Sequence, residues 1–156
     1  MKMERLEKVF LWSTAVVLAL FFGGIVLSVS ESGIHLPDKV DTIDPTEVSS
    51  TPPFDAPGVY ERGAGEYEVV VIAKAWAFEP AEITVPADAE VTFTVTSQDV
   101  IHGFMIPETQ VNAMVIPGHI TRVTYTFDEA GEHNIICHEF CGIGHHGMFG
   151  KVVVEG

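Results

Sequence analysis

Residues 67–78 read YEVVVIAKAWAF, and this apolar, β-branched run begins a series of short segments of the same kind. The segments that follow it are EITV, EVTFTVTS, VIHGFMI, HITRVTYTF, HNIICH and FGKVVVEG. Turn-forming residues such as Pro80, Pro86-Ala87-Asp88 and Pro117-Gly118 separate these segments. About seven short strands over residues 67–156 predict an all-β domain, a Greek-key sandwich or barrel.

The N-terminal region is the most apolar part of the chain. Residues 9–29 contain no ionisable side chain, and a helix of about 20 such residues crosses the hydrocarbon core of a bilayer. Because Lys2, Arg5 and Lys8 precede this stretch, we expect a single pass through the plasma membrane, with the C-terminal domain on the extracytoplasmic side. A cleaved signal peptide is the alternative, although the apolar core of such a peptide usually spans only about 7–15 residues.

A region of different composition joins the apolar stretch to the predicted strands. Residues 31–66 contain five prolines and many Asp, Glu, Ser and Thr residues, without sustained hydrophobic periodicity. This composition predicts an extended, acidic, Pro-rich linker. The expected organisation is therefore a transmembrane anchor at residues 1–30, the linker, and one β-domain at residues 67–156.

The charge of the chain restricts its partners. Its 156 residues include 22 Asp+Glu and only 8 Lys+Arg, which gives a formal net charge of −14. This balance argues against binding to nucleic acid, because phosphates need a cationic surface. An acidic surface either steers a basic partner or reflects a source that lives in high salt, and the sequence leaves both explanations open.

The segment CHEFCGIGHHGM, residues 137–148, contains both cysteines of the chain and a regular series of metal-binding side chains. With one upstream histidine, the candidate ligands are His102, Cys137, Cys141, His145 and Met148. Thiolate, imidazole and thioether groups together favour copper. Tetrahedral zinc has little use for Met148, and a mononuclear blue-copper site would leave one cysteine unused. Two copper ions bridged by both sulfurs match the set better.

Other interpretations of the same residues remain open at this stage. The two cysteines of an extracytoplasmic domain could instead form a disulfide. His138 and His146 flank the candidate ligands and are alternative metal-binding residues. No residue of the chain resembles a general base or a nucleophile, so the pattern favours electron transfer over bond-making chemistry.

The spacing Cys-x3-Cys-x3-His-x2-Met, with the upstream DVIHGF at residues 99–104, resembles the CuA site of cytochrome c oxidase subunit II. The single apolar span resembles the short, single-anchor form of this subunit that is found with ba-type oxidases. The resemblance implies a cupredoxin-like β-barrel, in agreement with the predicted strands.

The resemblance also implies a role for each site residue. Cys137 and Cys141 would bridge two copper ions, while His102 and His145 would each bind one of them. Two weaker ligands would complete the site, the Met148 thioether and the Glu139 backbone carbonyl. In the family, the carboxylate at the position of Glu139 also helps to hold a magnesium ion at the boundary with subunit I.

The implied function is electron transfer within a terminal oxidase. The chain would accept electrons from an external carrier, cytochrome c or a small blue-copper protein, and pass them to heme in subunit I, which reduces oxygen to water. Trp76 and Phe78 resemble an aromatic patch near the point of electron uptake, with ordinary packing as the alternative. Two other classes are a membrane-tethered copper-delivery protein, which the binuclear ligand set disfavours, and the CuA module of a nitrogen-oxide reductase, which the short chain disfavours.

Overall fold

The computed structural model describes residues 4–31 and 41–156, and these two ranges belong to two compact units. The N-terminal unit contains helix α1 (Arg5–Glu31), which is apolar on all faces and has no buried residue. By length and composition, α1 is able to cross a membrane. Lys2, one of the basic residues used to predict the orientation of the span, lies outside the described residues.

The second unit contains eleven strands within residues 41–156. They are β1 (Asp41–Thr42), β2 (Gly58–Gly63), β3 (Glu66–Lys74), β4 (Ala77–Glu79), β5 (Glu82–Pro86), β6 (Glu90–Ser97), β7 (His102–Met105), β8 (Asn112–Val115), β9 (His119–Thr126), β10 (Gly131–Ile136) and β11 (Phe149–Glu155). Two short 3-10 helices, Val48–Ser50 and His145–Gly147, lie in the connections.

The strands form two sheets with a common core between them. One sheet has the order β1-β9-β6-β3-β2, with β4 also paired to β3, and the other has the order β5-β11-β10-β7-β8. The pairs β3–β6 and β5–β11 are parallel, and the remaining pairs are antiparallel. Alternate residues of the strands fill the main core, among them Val69, Val71, Phe93, Phe104, Ile135 and Val152. The predicted all-β sandwich is confirmed.

Strand β3 is buried on both faces. Val69, Val71 and Ala73 face the main core, while Val70 and Ile72 belong to a second apolar cluster on the other side of the sheet. A strand that is covered on both faces has a continuous apolar sequence instead of an alternating one. The uninterrupted VVVIA at the centre of β3 is therefore explained by a second layer over the outer face of the sheet.

The second layer comes from the segment that the sequence predicted to be an extended linker. Val48 and Phe54 are fully buried against Val70 and Ile72, β1 pairs with β9, and β2 pairs with β3. Over residues 41–66 the structure thus differs from the predicted linker, because these few apolar side chains gain more from burial on β3 than an extended chain would. The rest of that segment, residues 32–40, lies outside the described residues.

The run at residues 67–78, which the sequence predicted to be one strand, forms two strands in the structure. Strand β3 ends at Lys74, the chain turns at Ala75 and Trp76, and β4 returns antiparallel to β3 with Phe78 opposite Ala73. The turn sends Phe78 back into the main core, where its ring packs edge-on against Phe104 with a centroid distance of 5.6 Å.

Replacing Phe54 by alanine is expected to lower the free energy of unfolding by about 3–5 kcal/mol, because it removes a fully buried ring from the second layer. The matched control is Phe140→Ala, which removes the same atoms from a side chain that is 80% exposed and is expected to change stability by at most about 0.5 kcal/mol. Urea unfolding of the copper-free full chain in detergent, followed by near-ultraviolet circular dichroism, measures both. Equal losses in the two variants would contradict the packing of residues 41–66 on the sheet.

Candidate metal centre

The candidate ligands are brought together by three adjacent strands. Strands β10 and β11 form an antiparallel hairpin in which Ile136 pairs with Phe149, so residues 137–148 are the connection at its end. Strand β7 lies on the other side of β10, with Met105 opposite Ile136. His102 is the first residue of β7, and it therefore lies beside the start of the connection. We call residues 137–148 the ligand loop.

Three of the predicted ligands form a buried cluster. One donor atom from each of His102, Cys137 and Cys141 lies within 4.8 Å of the other two, and all three residues are buried. The two Sγ atoms are 3.7 Å apart, and Nδ1 of His102 is 3.9 Å from Sγ of Cys137. Among the described residues, this is the only group of three or more His, Cys, Asp or Glu side chains with such proximity.

The remaining predicted ligands approach the same sulfurs from the ligand loop. Nδ1 of His145 lies 3.6 Å from Sγ of Cys141, and Sδ of Met148 lies 3.7 Å from that sulfur atom. On the other side, the backbone carbonyl oxygen of Glu139 lies 3.2 Å from Sγ of Cys137. All the residues that the sequence analysis selected as metal ligands therefore converge on the two cysteines.

The two cysteines are free thiols in the structure. Burial raises the pKa of the Cys141 thiol to about 11, and the hydrogen bond and charge of the adjacent Cys137 act in the same direction. The backbone N–H of Gly103 points to Sγ of Cys137 at 3.4 Å. Because metals bind the thiolate form, a metal at this site has to displace the Cys141 proton.

His102 is oriented by a carboxylate. Its Nε2 atom lies 2.8 Å from Oδ1 of Asp99, which leaves Nδ1 directed to the sulfur cluster. Burial by itself raises the pKa of Asp99, but hydrogen bonds from His102, Val100 and Ala75 outweigh it and hold this pKa below its ordinary value. A metal-binding histidine commonly has such a carboxylate partner. Asp99 was not predicted from the sequence to have a role, and the spacing Asp-x-x-His was the available signal.

The neighbouring histidines lie differently. The ring of His138 packs on Gly103, where an added Cβ would approach its atoms to 2.5 Å, and its Nδ1 is 3.7 Å from a carboxylate oxygen of Glu139. His146 is exposed. Neither belongs to the buried cluster of donors. A magnesium ion at Glu139 stays a prediction.

Trp76 lies directly against the ligand loop. Its indole N–H donates a hydrogen bond to the backbone carbonyl of Cys141 at 3.1 Å, and its side chain is 42% exposed at the turn between β3 and β4. A Cβ on Gly144 would approach the indole ring to 2.4 Å, so a larger side chain at this position would have to displace the indole. Phe78, the other predicted aromatic residue, is buried in the core, so of these two residues only Trp76 is accessible to an external partner.

Exposed apolar residues flank the candidate ligands along the chain and were not anticipated from the sequence. Phe140 and Ile143, in the ligand loop, are 80% and 83% exposed. Val100 and Ile101, just before His102, are also exposed. Exposed apolar side chains often mark an interaction surface where they cluster. The available signal was the presence of large apolar residues between closely spaced ligands.

The donor set fits copper. Two thiols, two imidazoles, a thioether and a backbone carbonyl converge in a largely buried site, and soft sulfur and borderline nitrogen donors are the ligands that copper prefers. Two thiolates and two imidazoles would already complete a tetrahedral zinc site, so zinc would leave the Glu139 carbonyl and the Met148 thioether without a role.

Comparisons with known proteins agree with this chemistry. Residues 75–156 match the family model for cytochrome c oxidase subunit II, periplasmic domain. Cytochrome c oxidase subunit 2 from Thermus thermophilus is 39% identical over 153 residues, which cover 96% of this chain and 91% of that protein.

Solved structures give the same result. A chain in the cryo-EM structure of a heme-copper terminal oxidase dimer matches 97% of this chain and 100% of its own length, with 33% identity and a TM-score of 0.74. The periplasmic domain of subunit II of the Bradyrhizobium japonicum oxidase shares the fold, with 22% identity and a TM-score of 0.52 over 56% of this chain and 82% of that chain. The expected cupredoxin-like architecture is thereby confirmed. The chain belongs to the cytochrome c oxidase subunit II family, whose members are subunits of heme-copper terminal oxidases.

Proposed function

We propose that this chain is the subunit of a heme-copper oxidase at which electrons enter, and that its ligand loop and His102 hold a binuclear CuA centre. Such a centre, when bound, takes up and releases one electron at a time. The electron would come from an external carrier and continue to heme in subunit I, where oxygen is reduced to water. Helix α1 would anchor the subunit in the plasma membrane, with the β-domain on the extracytoplasmic side.

The spread of the donor atoms is the observation that carries the proposal. Nδ1 of His102 lies 3.9 Å from Sγ of Cys137, whereas Nδ1 of His145 lies 3.6 Å from Sγ of Cys141. The two sulfur atoms lie 3.7 Å apart, between the two imidazoles. Each histidine thus lies beside a different sulfur atom, which is the arrangement that two copper ions, each bound by one histidine, would require.

The protein supplies a fixed and largely dry environment for this site. His102 and Met148 are fully buried, and both cysteines are buried as well. The backbone N–H of Gly103 donates a hydrogen bond to Sγ of Cys137, and the indole N–H of Trp76 donates one to the backbone carbonyl of Cys141. Each cysteine is therefore restrained by one hydrogen bond. Ligands that are held in place reorganise little when charge changes, which favours fast electron transfer.

Copper loading of the full chain in detergent is expected to give two copper ions per chain and a multi-line electron paramagnetic resonance spectrum from one electron shared by both ions. The measurements are metal analysis and the spectrum of the loaded protein. One copper per chain with a four-line spectrum would contradict the binuclear site, and it would favour a copper-binding protein of another class.

Cys141→Ser is expected to abolish the shared-electron spectrum, because one bridging sulfur is lost. His146→Asn is the matched control on the same loop, and it should keep the spectrum since His146 is exposed and outside the donor cluster. Electron paramagnetic resonance of the two loaded variants makes the comparison. Retention of the wild-type spectrum by Cys141→Ser would rule out two bridging sulfurs.

Trp76 is the side chain through which we expect electrons to enter, since it is both exposed and hydrogen-bonded to Cys141. Trp76→Phe should slow reduction of the copper-loaded chain by cytochrome c or by a small blue-copper protein about tenfold, equivalent to about 1.4 kcal/mol on the barrier. Stopped-flow kinetics compare it with Phe140→Leu, which alters a more exposed aromatic residue in the ligand loop. A larger effect of Phe140→Leu, with both copper spectra unchanged, would move the point of electron uptake away from Trp76.

The exposed apolar residues beside the ligands bear on the acidity of the chain. Phe140, Ile143, Val100 and Ile101 carry no charge, so the contact that a docked partner makes with them does not weaken with salt, whereas steering by acidic groups elsewhere on the chain would. We therefore expect the rate of reduction by cytochrome c to change by less than about threefold between low salt and 0.5 M salt. Stopped-flow rates across this range test it, and a steep decline with salt would instead assign the net negative charge to donor docking.

A further inference from the structure

The carboxylate of Asp99 joins two loops that are far apart in the sequence. Its Oδ1 atom accepts the backbone N–H of Val100 at 2.7 Å and lies 2.8 Å from Nε2 of His102. Its Oδ2 atom accepts the backbone N–H of Ala75 at 2.6 Å. One oxygen thus serves the loop that carries His102, and the other serves the turn between β3 and β4.

On the first loop, the contact decides the tautomer of the His102 ring. An ionised carboxylate can only accept hydrogen bonds, so Nε2 of His102 has to carry the proton. Nδ1 then presents its lone pair to the cysteine cluster, with Sγ of Cys137 at 3.9 Å. The ring is fully buried, so water does not compete for either nitrogen.

On the second loop, the contact fixes the turn that carries Trp76. Ala75, whose N–H is bound by Asp99, immediately precedes Trp76, and the Trp76 indole donates to the carbonyl of Cys141. The indole also covers Gly144 so closely that a Cβ there would clash. A continuous path of hydrogen bonds and covalent bonds therefore runs from His102 through Asp99 and the turn to Cys141.

We propose that Asp99 is a positioning residue that holds the His102 ring and the Trp76 turn in one arrangement, and thereby couples the two segments that carry the candidate ligands. The function of this coupling rests on the proposed copper site. The coupling would align Trp76, at which electrons enter, with the ligands from both segments. The coupling itself is a property of the copper-free chain and is measured there.

Asp99→Asn tests the proposal in the copper-free full chain in detergent micelles. In the wild type each loop uses a different carboxylate oxygen, and because an asparagine replaces one of these oxygens by a donor amide, it leaves one loop without its acceptor. Nitrogen-15 NMR should show that His102 no longer occupies the Nε2–H tautomer alone. The indole proton of Trp76, identified by its absence in Trp76→Phe, should exchange with solvent at least about fivefold faster, the effect of weakening one hydrogen bond.

Two further variants separate position from charge. Asp128→Asn removes one negative charge at an exposed site beside the opposite end of β10, and both NMR probes should keep their wild-type values. Asp99→Glu keeps the charge but moves the carboxylate by one methylene, and it should alter both probes. It also provides the test if Asp99→Asn does not fold.

Unchanged probes in Asp99→Asn and Asp99→Glu would overturn the proposal, and so would a change at His102 without one at Trp76. With copper present, Asp99→Asn should bind the metal about 10–100-fold more weakly in competition with a chelator, as found when partners of ligating histidines are removed. If both probes respond but the wild-type chain binds no copper, the coupling stands and the proposed function fails.

Discussion

The arrangement of the site depends on the backbone pairing of β10 with β11 on one side and with β7 on the other. Hydrogen bonds between strands fix register to a single residue, and a slip by one residue would turn every side chain to the opposite face. Ile136 lies in both pairings, immediately before Cys137. The position of the Cys137 thiol relative to His102 is therefore determined by the backbone pairing of the sheet. Only the conformation of the ligand loop remains to be fixed by other contacts.

The ligand loop is in turn held from outside by the other sheet. Trp76 belongs to the turn after β3, a strand of the six-stranded sheet, whereas the ligand loop and His102 belong to the five-stranded sheet. The contact of its indole with the carbonyl of Cys141 thus crosses between the layers. Rigidity of β3, which is buried on both faces by the main core and by residues 41–66, supports that contact. Residues well removed from the candidate ligands in sequence contribute in this way to the precision of the site.

The candidate ligands could be selected from the sequence because spacing within one loop is a local property. His102, Cys137, Cys141, His145 and Met148 were all selected, and the structure brings them together. The packing of Phe54 and the contacts of Asp99 could not be predicted in this way, since both depend on partners that are distant in the chain. A single phenylalanine among prolines has no periodicity, and the hydrogen bond from Ala75 to Asp99 is visible only after β3 and β6 have paired. The apolar run in β3 did carry the missing information, because a strand without alternation requires cover on both faces.

The close approach of the Trp76 indole to Gly144 has a consequence for how this sequence can diverge. A side chain larger than hydrogen at position 144 would have to displace the indole, and the displaced indole would give up its hydrogen bond to Cys141. Conversely, a smaller residue at position 76 would leave a gap over the loop that a larger residue at position 144 could fill. Substitutions at these two positions are therefore tolerated as a pair and opposed singly, so the two should covary among homologues.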